Sequence, residues 1–180
     1  MFELSICRIE KGEKTSKKFV LLGLVLTLSS LVTSIKLVGQ VNSSISGIEL
    51  KYRTPYSLPK GWIYVLVETS LYSGIESSLN RYARDLESID GFSVGIYTVS
   101  TTDATAIRSF LQQALPEGLV GCLLVGDIPQ ANYEWVDWEY TYFRVPTDLY
   151  FMDLDGVWSD TNRNGAYDTH GGEVGPEIWV

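Results

Sequence analysis

The sequence predicts an α/β fold in three layers, with a mostly parallel sheet and helices on both of its faces. Three apolar runs rich in β-branched and aromatic residues, at 62–67, 92–99 and 119–125, predict buried strands. A helical pattern fills each of the two intervals between these strands. Strands that alternate with helices in this way are typical of right-handed βαβ units, and therefore of parallel strands in one sheet.

The first helix is predicted by an apolar stripe between the first two strands. Ser73 and Glu76 have the spacing of a capping box, which places the helix start near Ser73. Asp90-Gly91 supplies the stop signal, because glycine favours the left-handed conformation that ends many helices. The stripe recurs at steps of three and four residues and consists of Ile75, Leu79, Tyr82, Leu86 and Ile89.

The second helix is predicted to begin after Thr102 or Asp103 and to end at residues 116–118, where Pro-Glu-Gly interrupts the pattern. Its apolar residues again recur at helical spacing, so that one face is directed towards the core. That core face consists of Ile107, Phe110, Leu111, Ala114 and Leu115.

The carboxyl edge of the predicted sheet is where a functional site is expected, because ligands of parallel sheets bind outside the carboxyl ends of the strands. Residues 68–69, 100–101 and 126–127 follow the three strands and are expected at that edge. The turn after the first strand contains neither GxGxxG nor a P-loop. The sequence therefore argues against a dinucleotide or nucleotide site.

The amino-terminal segment differs in charge from the rest of the chain. Residues 1–41 carry six basic and three acidic groups, and Lys17-Lys18 precedes seventeen uncharged residues at 19–35. This pattern is typical of a secretory signal peptide, although the apolar stretch is near the lower length limit for an uncleaved membrane anchor. We expect residues 1–41 to be a signal peptide or an anchor. The protein is then secreted or held at the cell surface, and it contacts a membrane only through this segment.

The remainder of the chain is acidic. Residues 42–180 carry eight basic and 19 acidic groups, and only Arg144 and Arg163 accompany the 11 acids of residues 127–180. Phosphate contacts need clusters of Lys and Arg, so this composition excludes nucleic acid as a partner. It suits cations or basic ligands.

Residues 42–60 have no sustained period and predict a linker, or an extended lead-in at the edge of a folded subdomain at 61–180. Residues 147–152 predict a fourth strand, and Asp155-Gly156 predicts a turn. An aromatic stretch lies between Pro129 and that strand. Packing within the protein is favoured for it over a ligand platform. Its members are Tyr133, Trp135, Trp138, Tyr140, Tyr142 and Phe143.

The most specific motif is an oxygen-rich loop at residues 160–168. Its oxygen side chains stand at positions 1, 3, 5 and 9 of an EF-hand-type calcium loop, with Gly165 at the sharp bend of position 6. Gly171 replaces the bidentate glutamate of position 12, so another carboxylate must replace it, and a plain Asx-turn loop is the alternative. The predicted structural calcium ligands are Asp160, Asn162, Asn164, Ala166 through its carbonyl, Asp168 and Glu173.

Other polar residues are candidate ligands or catalysts. Glu177, Asp153 and Asp155 are alternatives for the missing carboxylate, and the two aspartates have the spacing of a turn or a metal support rather than of an acid–base pair. His170 is the only histidine and Cys122 lies in an apolar strand, so the sequence predicts no catalytic dyad and assigns His170 to the loop surface.

An ordered set of segments resembles the gingipain-like cysteine peptidases, which are secreted relatives of the caspase-type fold. The segments are residues 62–67, 71–75, 108–111, 123–129, 147–156, 158–160 and 176–180. The most specific of them are Leu-Leu-Val-Gly-Asp and Asp-Leu-Tyr-Phe-Met-Asp-Leu-Asp-Gly. The resemblance implies an incomplete amino-terminal subdomain of a peptidase that acts on proteins or peptides. It also implies that the catalytic His and Cys follow Val180, and no catalytic role is transferred to His170.

Two hypotheses follow. The first is an amino-terminal fragment of an exported gingipain-like cysteine endopeptidase, inactive alone and stabilised by calcium. The alternative is a non-catalytic, calcium-stabilised surface or secreted module that binds partners through its aromatic and acidic stretch.

Overall fold

A computed structural model describes residues 45–139 and 141–180, which belong to a unit spanning Gln40–Val180. The predicted signal or anchor at 19–35 lies outside the described residues. Within the described part, none of the helices has both the length and the apolar character needed to cross a bilayer.

The centre of the fold is a four-stranded sheet of mixed orientation. Its strands are β1 (Ile48–Arg53), β2 (Trp62–Glu68), β3 (Ser93–Val99) and β4 (Leu119–Val125), in the order β1-β3-β2-β4. β2 is parallel to β3 and to β4, whereas β1 is antiparallel to β3. The α/β class and the three predicted parallel strands are confirmed, and the antiparallel edge strand is an addition.

β1 lies within residues 42–60, for which the sequence predicted a linker or an extended lead-in. Ile48 pairs with Val99 of β3 and is buried, while Glu49 and Lys51 form an ion pair at the surface. Charged residues of this kind are typical of edge strands, where they oppose further pairing. The lead-in alternative describes this segment, and its strand conformation depends on pairing with β3.

Two helices connect the parallel strands. α1 (Thr69–Asp85) follows β2 and continues into a π-helical turn (Leu86–Asp90), and α2 (Ala104–Ala114) precedes a 3₁₀ turn (Leu115–Glu117). Alternate residues of β2 belong to two separate core clusters: Tyr64 and Leu66 pack with α2, and Val65 and Val67 pack with α1. Because alternate strand residues point to opposite faces, the two helices cover different sides of β2.

The predicted start of α1 is wrong by four residues. The helix begins directly after β2, so Ser73 lies inside it and the capping-box spacing is coincidental. Leu79 of the predicted stripe is buried, but Tyr82 is exposed and the neighbouring Ala83 takes the core position. Ile89 is also exposed, because it lies in the π-helical turn, whose wider spacing breaks the helical register.

The prediction for α2 is confirmed. The Asp103 carboxylate accepts a hydrogen bond from the backbone N–H of Thr105 (2.8 Å), which is an N-cap contact. The 3₁₀ turn ends at Gly118, whose φ of 88° is left-handed. The buried residues of the helix are Ile107, Phe110, Leu111 and Ala114, and Leu115 packs against them.

The carboxyl-terminal third consists of short elements. They are the hairpin β5 (Asn132–Val136) and β6 (Tyr142–Pro146), the single-turn helix α3 (Leu149–Met152), and the pair β7 (Val157–Ser159) and β8 (Thr169–Gly171). The predicted turn at Asp155-Gly156 precedes β7.

The strand predicted at 147–152 is wrong, because α3 occupies it. Phe151 and Asp153 donate backbone hydrogen bonds to the carbonyls of Asp148 (2.8 Å) and Leu149 (2.9 Å), which closes a helical turn. A run of four apolar residues fits a strand or a helical turn equally well. The turn is selected by tertiary contacts, since it buries Tyr150 and Phe151.

The last residues of the chain lie beside β4. Trp179 donates its backbone N–H to the Val120 carbonyl (3.3 Å) and accepts from the Cys122 N–H (2.8 Å), in a parallel bridge. The Trp179 ring fits here because residue 121 is glycine: a Cβ on Gly121 would lie 2.0 Å from the ring. Residues 178–180 therefore extend the main sheet next to β4.

Candidate functional site

The oxygen-rich loop at 160–168 folds around its own backbone. Asp160 accepts hydrogen bonds from the N–H groups of Asn164 (3.1 Å) and Gly165 (2.8 Å). The side-chain oxygens of Asn162 and Asn164 accept from Asn164 (3.0 Å) and Ala166 (2.9 Å). Gly165 has a φ of 86°, which supplies the predicted sharp bend. The predicted donors at positions 1, 3 and 5 thus surround one tight turn, and Ala166 is buried at its end.

Asp168 closes the other end of the loop. Its carboxylate accepts hydrogen bonds from the Thr161 hydroxyl (2.5 Å) and the Thr161 backbone N–H (3.1 Å). These bonds hold the pKa of Asp168 below its usual value. Asp168 is therefore a carboxylate over the whole neutral range.

Glu134 of β5 lies against this loop, and the sequence analysis missed it. Its carboxylate accepts from the side-chain amides of Asn162 (2.5 Å) and Asn164 (2.8 and 2.9 Å), and only 7% of the residue is exposed. Arg144, its cross-strand neighbour, donates instead to the Gly165 carbonyl (2.8 Å). The ion pairs among the described residues do not include Glu134. A buried carboxylate with only neutral partners is costly.

This donor set fits a hard cation. It consists only of side-chain oxygens and one backbone carbonyl, which are the ligands that calcium takes. Glu134, which contacts the loop from another strand, is a candidate for the carboxylate that Gly171 lacks. The sequence feature that could have indicated Glu134 is its position as a single acid between Tyr133 and Trp135. That feature is informative only once the strand and its buried face are known.

Glu173, the predicted sixth ligand, is close enough to a second acidic group to affect the charge of Asp155. Asp153, Asp155 and Glu177 have carboxylate oxygens within 4.8 Å of one another. Desolvation, followed by the charges of Glu177 and Glu173, raises the pKa of Asp155. The alternatives named for the missing ligand thus cluster with each other.

His170 forms a fixed pair with Asp153. Its Nε2 contacts the buried Asp153 carboxylate, which also accepts from the Gly156 N–H (2.7 Å). The imidazole stacks on Trp158 with the ring centroids 3.8 Å apart. The expected loop-surface position of His170 is therefore wrong, because these contacts half-bury the ring.

Cys122 is unsuited to nucleophilic catalysis. It is fully buried in β4, and burial raises the pKa of its thiol. Thiolate formation and access, which a cysteine nucleophile needs, are both opposed. The His170 side chain is instead hydrogen-bonded to Asp153.

The carboxyl edge of the sheet brings together residues from all three of its predicted segments. Glu68 accepts from the Asp127 N–H (3.1 Å) and from the Ser70 hydroxyl (2.5 Å), and these bonds lower the pKa of Glu68. Thr101 and Asp127 line a cavity of about 450 Å³ there.

The aromatic stretch divides into packed and exposed residues. Tyr133 packs edge-on against Trp158 (6.1 Å between centroids), as the packing interpretation predicted. Trp135 and Phe143 stack on each other but are 43% and 40% exposed, and Trp138 is 86% exposed. Tyr140 lies outside the described residues. Most of the described stretch thus presents aromatic surface to solvent.

No family model, no curated protein and no solved structure matches this chain.

Proposed function

We propose that the protein is the amino-terminal, non-catalytic part of an exported gingipain-like cysteine endopeptidase, with residues 61–180 as a three-layer α/β subdomain. One observation carries the proposal. Two segments of the resemblance contact each other, because Glu177 of 176–180 donates its backbone N–H to the carbonyl of Met152 in 147–156 (3.0 Å), and Trp179 donates to the Val120 carbonyl of β4 (3.3 Å). These contacts support a single folded subdomain that contains both segments.

The role of this part in the parent peptidase is that of a scaffold. Cys122 is buried and His170 is held by Asp153, so the described residues offer no accessible cysteine beside a free imidazole. In this proposal the nucleophile and its base come from another part of the parent protein. Its substrates are proteins or peptides, and residues 1–41 direct export.

Calcium is proposed as a structural cofactor of this scaffold. Asp160, Asn162, Asn164 and Asp168 would hold it together with Glu134, and the Ala166 carbonyl is the remaining donor. The ion would supply positive charge to a loop whose carboxylates otherwise repel one another and to a buried carboxylate without a basic partner. These residues keep the turn in place and exclude water from Glu134.

A protease assay tests the absence of catalysis. The purified chain and its Cys122→Ala variant are incubated with a broad peptide library at neutral pH under reducing conditions, and products are read by mass spectrometry. The proposal predicts no cleavage by either protein. Cleavage by the wild type that the variant loses would contradict it.

The peptidase assignment itself is tested by the genomic sequence that follows codon 180. An open frame that continues with Gly-Arg and then supplies a His-Gly pair and a cysteine would support a peptidase parent. A frame without these residues would favour the second candidate, a partner-binding module. The exposed aromatic residues of the β5–β6 hairpin support that candidate.

A further inference from the structure

The β5–β6 hairpin has two chemically different faces. Because alternate residues of a strand share a face, Tyr133, Trp135, Phe143 and Val145 lie on one side. The other side carries Glu134, which contacts the oxygen-rich loop. The first face is aromatic, partly exposed, and free of the contacts that hold the loop.

This aromatic face continues into a cleft against β7 and the segment after β8. The cavity has a volume of about 510 Å³ and an opening to solvent, and we refer to it as the aromatic cleft. Trp158 and His170, stacked on each other, form part of its wall. The residues around them are Tyr133, Val145, Pro146, Leu149 and Val174. The size and the apolar lining suit a single large side chain.

Among the described residues, no strand pairs with the outer edge of β6, the strand that borders the cleft. Thr147 donates to the Ala131 carbonyl (2.9 Å) and Asp137 to the Thr141 carbonyl (3.1 Å), which sets the hydrogen-bonded pairs of the hairpin. Pairs alternate along an antiparallel ladder, so the N–H and C=O groups of Tyr142 and Arg144 point away from β5. All five residues of β6 are exposed. An extended peptide can add to this edge.

The segments that line the cleft are acidic, and two exposed acids are adjacent in sequence to lining residues. Asp148 stands between two lining residues, Thr147 and Leu149, and Glu173 precedes the lining residue Val174. Residues 127–180 contain 11 acids and two arginines, and Arg144 is directed to the Gly165 carbonyl on the opposite face of the hairpin. A ligand that complements this rim carries positive charge.

We propose that the aromatic cleft binds an extended basic peptide, which pairs with the open edge of β6, places one apolar or aromatic side chain in the cavity, and sets Lys or Arg residues against the acidic rim. A peptide uses all three features: the backbone edge, the apolar cavity and the acidic charge. A neutral glycan would use the aromatic surface alone. The inference stands apart from the peptidase assignment, because it rests only on the hairpin and the cleft.

Fluorescence anisotropy with labelled decapeptides tests the proposal on the full chain. One peptide alternates Lys with Val and carries a central Phe, and a second has Glu in place of every Lys. We expect saturable binding of the basic peptide, at least tenfold weaker binding of the acidic one, and weaker binding at 0.5 M NaCl than at 0.05 M NaCl. Equal affinity for both peptides, or binding of neither, would overturn the proposal.

Two matched variants locate the binding surface. Val145 (39% exposed) lines the cleft, and Val136 (46% exposed) lies on the opposite face of the same hairpin. Val145→Arg should weaken the basic peptide at least tenfold, whereas Val136→Arg should leave it within twofold, with unchanged melting temperatures showing that both variants fold. Equal losses in the two variants would contradict the location. Val174→Arg provides a second cleft variant if Val145→Arg does not fold.

Sedimentation of the wild type and tests with neutral oligosaccharides cover the other occupants. Self-association that Val145→Arg abolishes would show that a second copy fills the cleft, and sugar binding with the same dependence on Val145 would show a glycan. Either result would replace the peptide proposal.

Discussion

Glu134 connects the hairpin to the oxygen-rich loop through three hydrogen bonds to asparagine amides. Its side chain is removed from water, and its charge has no basic partner within the described ion pairs. A buried carboxylate in this position is stable when a cation compensates it. The buried carboxylate of Glu134 is therefore the strongest physical argument for calcium.

Replacement of Glu134 tests this argument. Glu134→Gln keeps the shape and one acceptor oxygen but removes the charge, so calcium affinity should fall at least tenfold, measured by isothermal titration calorimetry. Glu139→Gln, an exposed acid near the tip of the same hairpin, is the control and should bind like the wild type. Equal affinity of Glu134→Gln and wild type would exclude Glu134 as a ligand.

Asp155 predicts a pH dependence of stability. Desolvation and the charges of Glu177 and Glu173 raise its pKa above the unfolded value of about 3.9. The folded chain then binds more protons than the unfolded chain just above that value, so ionisation of Asp155 lowers stability as the pH rises through this window.

The variant Asp155→Asn should consequently be more stable than wild type at pH 7 and should lose this advantage at pH 3, as measured by urea midpoints in the presence of EGTA. Asp90→Asn, which changes an exposed aspartate outside the acidic group, should show no such pH-dependent gain. A destabilised Asp155→Asn at pH 7 would show that the group already holds a cation or another positive charge.

For two glycines in different elements, substitution by alanine should change the stability in opposite directions. Gly121 lies under the Trp179 ring, where a Cβ would be 2.0 Å from a ring carbon, and Gly74 lies inside α1 with no atom within 4 Å of a Cβ. Gly121→Ala should displace residues 178–180 and destabilise the unit, whereas Gly74→Ala should stabilise it by about 0.5–1 kcal/mol. Urea unfolding of the two variants gives both signs. A neutral Gly121→Ala would mean that the last residues do not pack against β4.

The N-cap of α2 gives a smaller effect. Asp103→Ala removes the bond to Thr105 N–H and should cost about 0.5–2 kcal/mol, whereas Asp103→Ser should retain most of the stability. Thermal melts of both variants give the comparison. If serine fails to retain the stability that alanine loses, the contribution of Asp103 is not capping.

The parts of the fold that could be predicted from sequence are those with a long, local signal. Strands β2, β3 and β4 are mainly apolar runs, and α2 has both a cap and a stripe, so local chemistry is sufficient there. β1 and α3 are selected by pairing with β3 and by burial of Tyr150, which are contacts between residues distant in sequence. Short apolar or mixed segments carry no local signal for such choices.

The same distinction applies to the candidate site. The loop donors at 160–168 are predicted from their spacing, because alternate residues of such a loop face a common centre. Glu134 comes from a hairpin 26 residues earlier in the chain than Asp160, and the pairing of Asp153 with His170 depends on the β7–β8 turn. The spacing of residues within one motif does not predict contacts between residues so far apart in the sequence.

The described part of the molecule has a mixed α/β sheet, an oxygen-rich loop in contact with the β5–β6 hairpin, and the aromatic cleft on the other face of that hairpin. The sheet buries apolar surface on both sides of β2, so its stability does not require a metal. The carboxyl-terminal third has short strands and many acids, and it is the part that calcium would stabilise. Because Trp179 of this third pairs with Gly121 of β4, calcium should also raise the melting temperature of the unit.

The most direct test is the melting temperature of the purified chain in 2 mM calcium chloride and in 2 mM EGTA, by circular dichroism. A ligand at about 100 times its Kd stabilises a folded protein by about 2.7 kcal/mol, which corresponds to a rise of roughly 5–15 °C for a unit of this size. If calcium binds the oxygen-rich loop, the melting temperature should rise by this amount in calcium, should not rise in magnesium at the same concentration, and should not rise in Asp160→Asn. Equal melting temperatures in calcium and EGTA would contradict calcium binding at this loop.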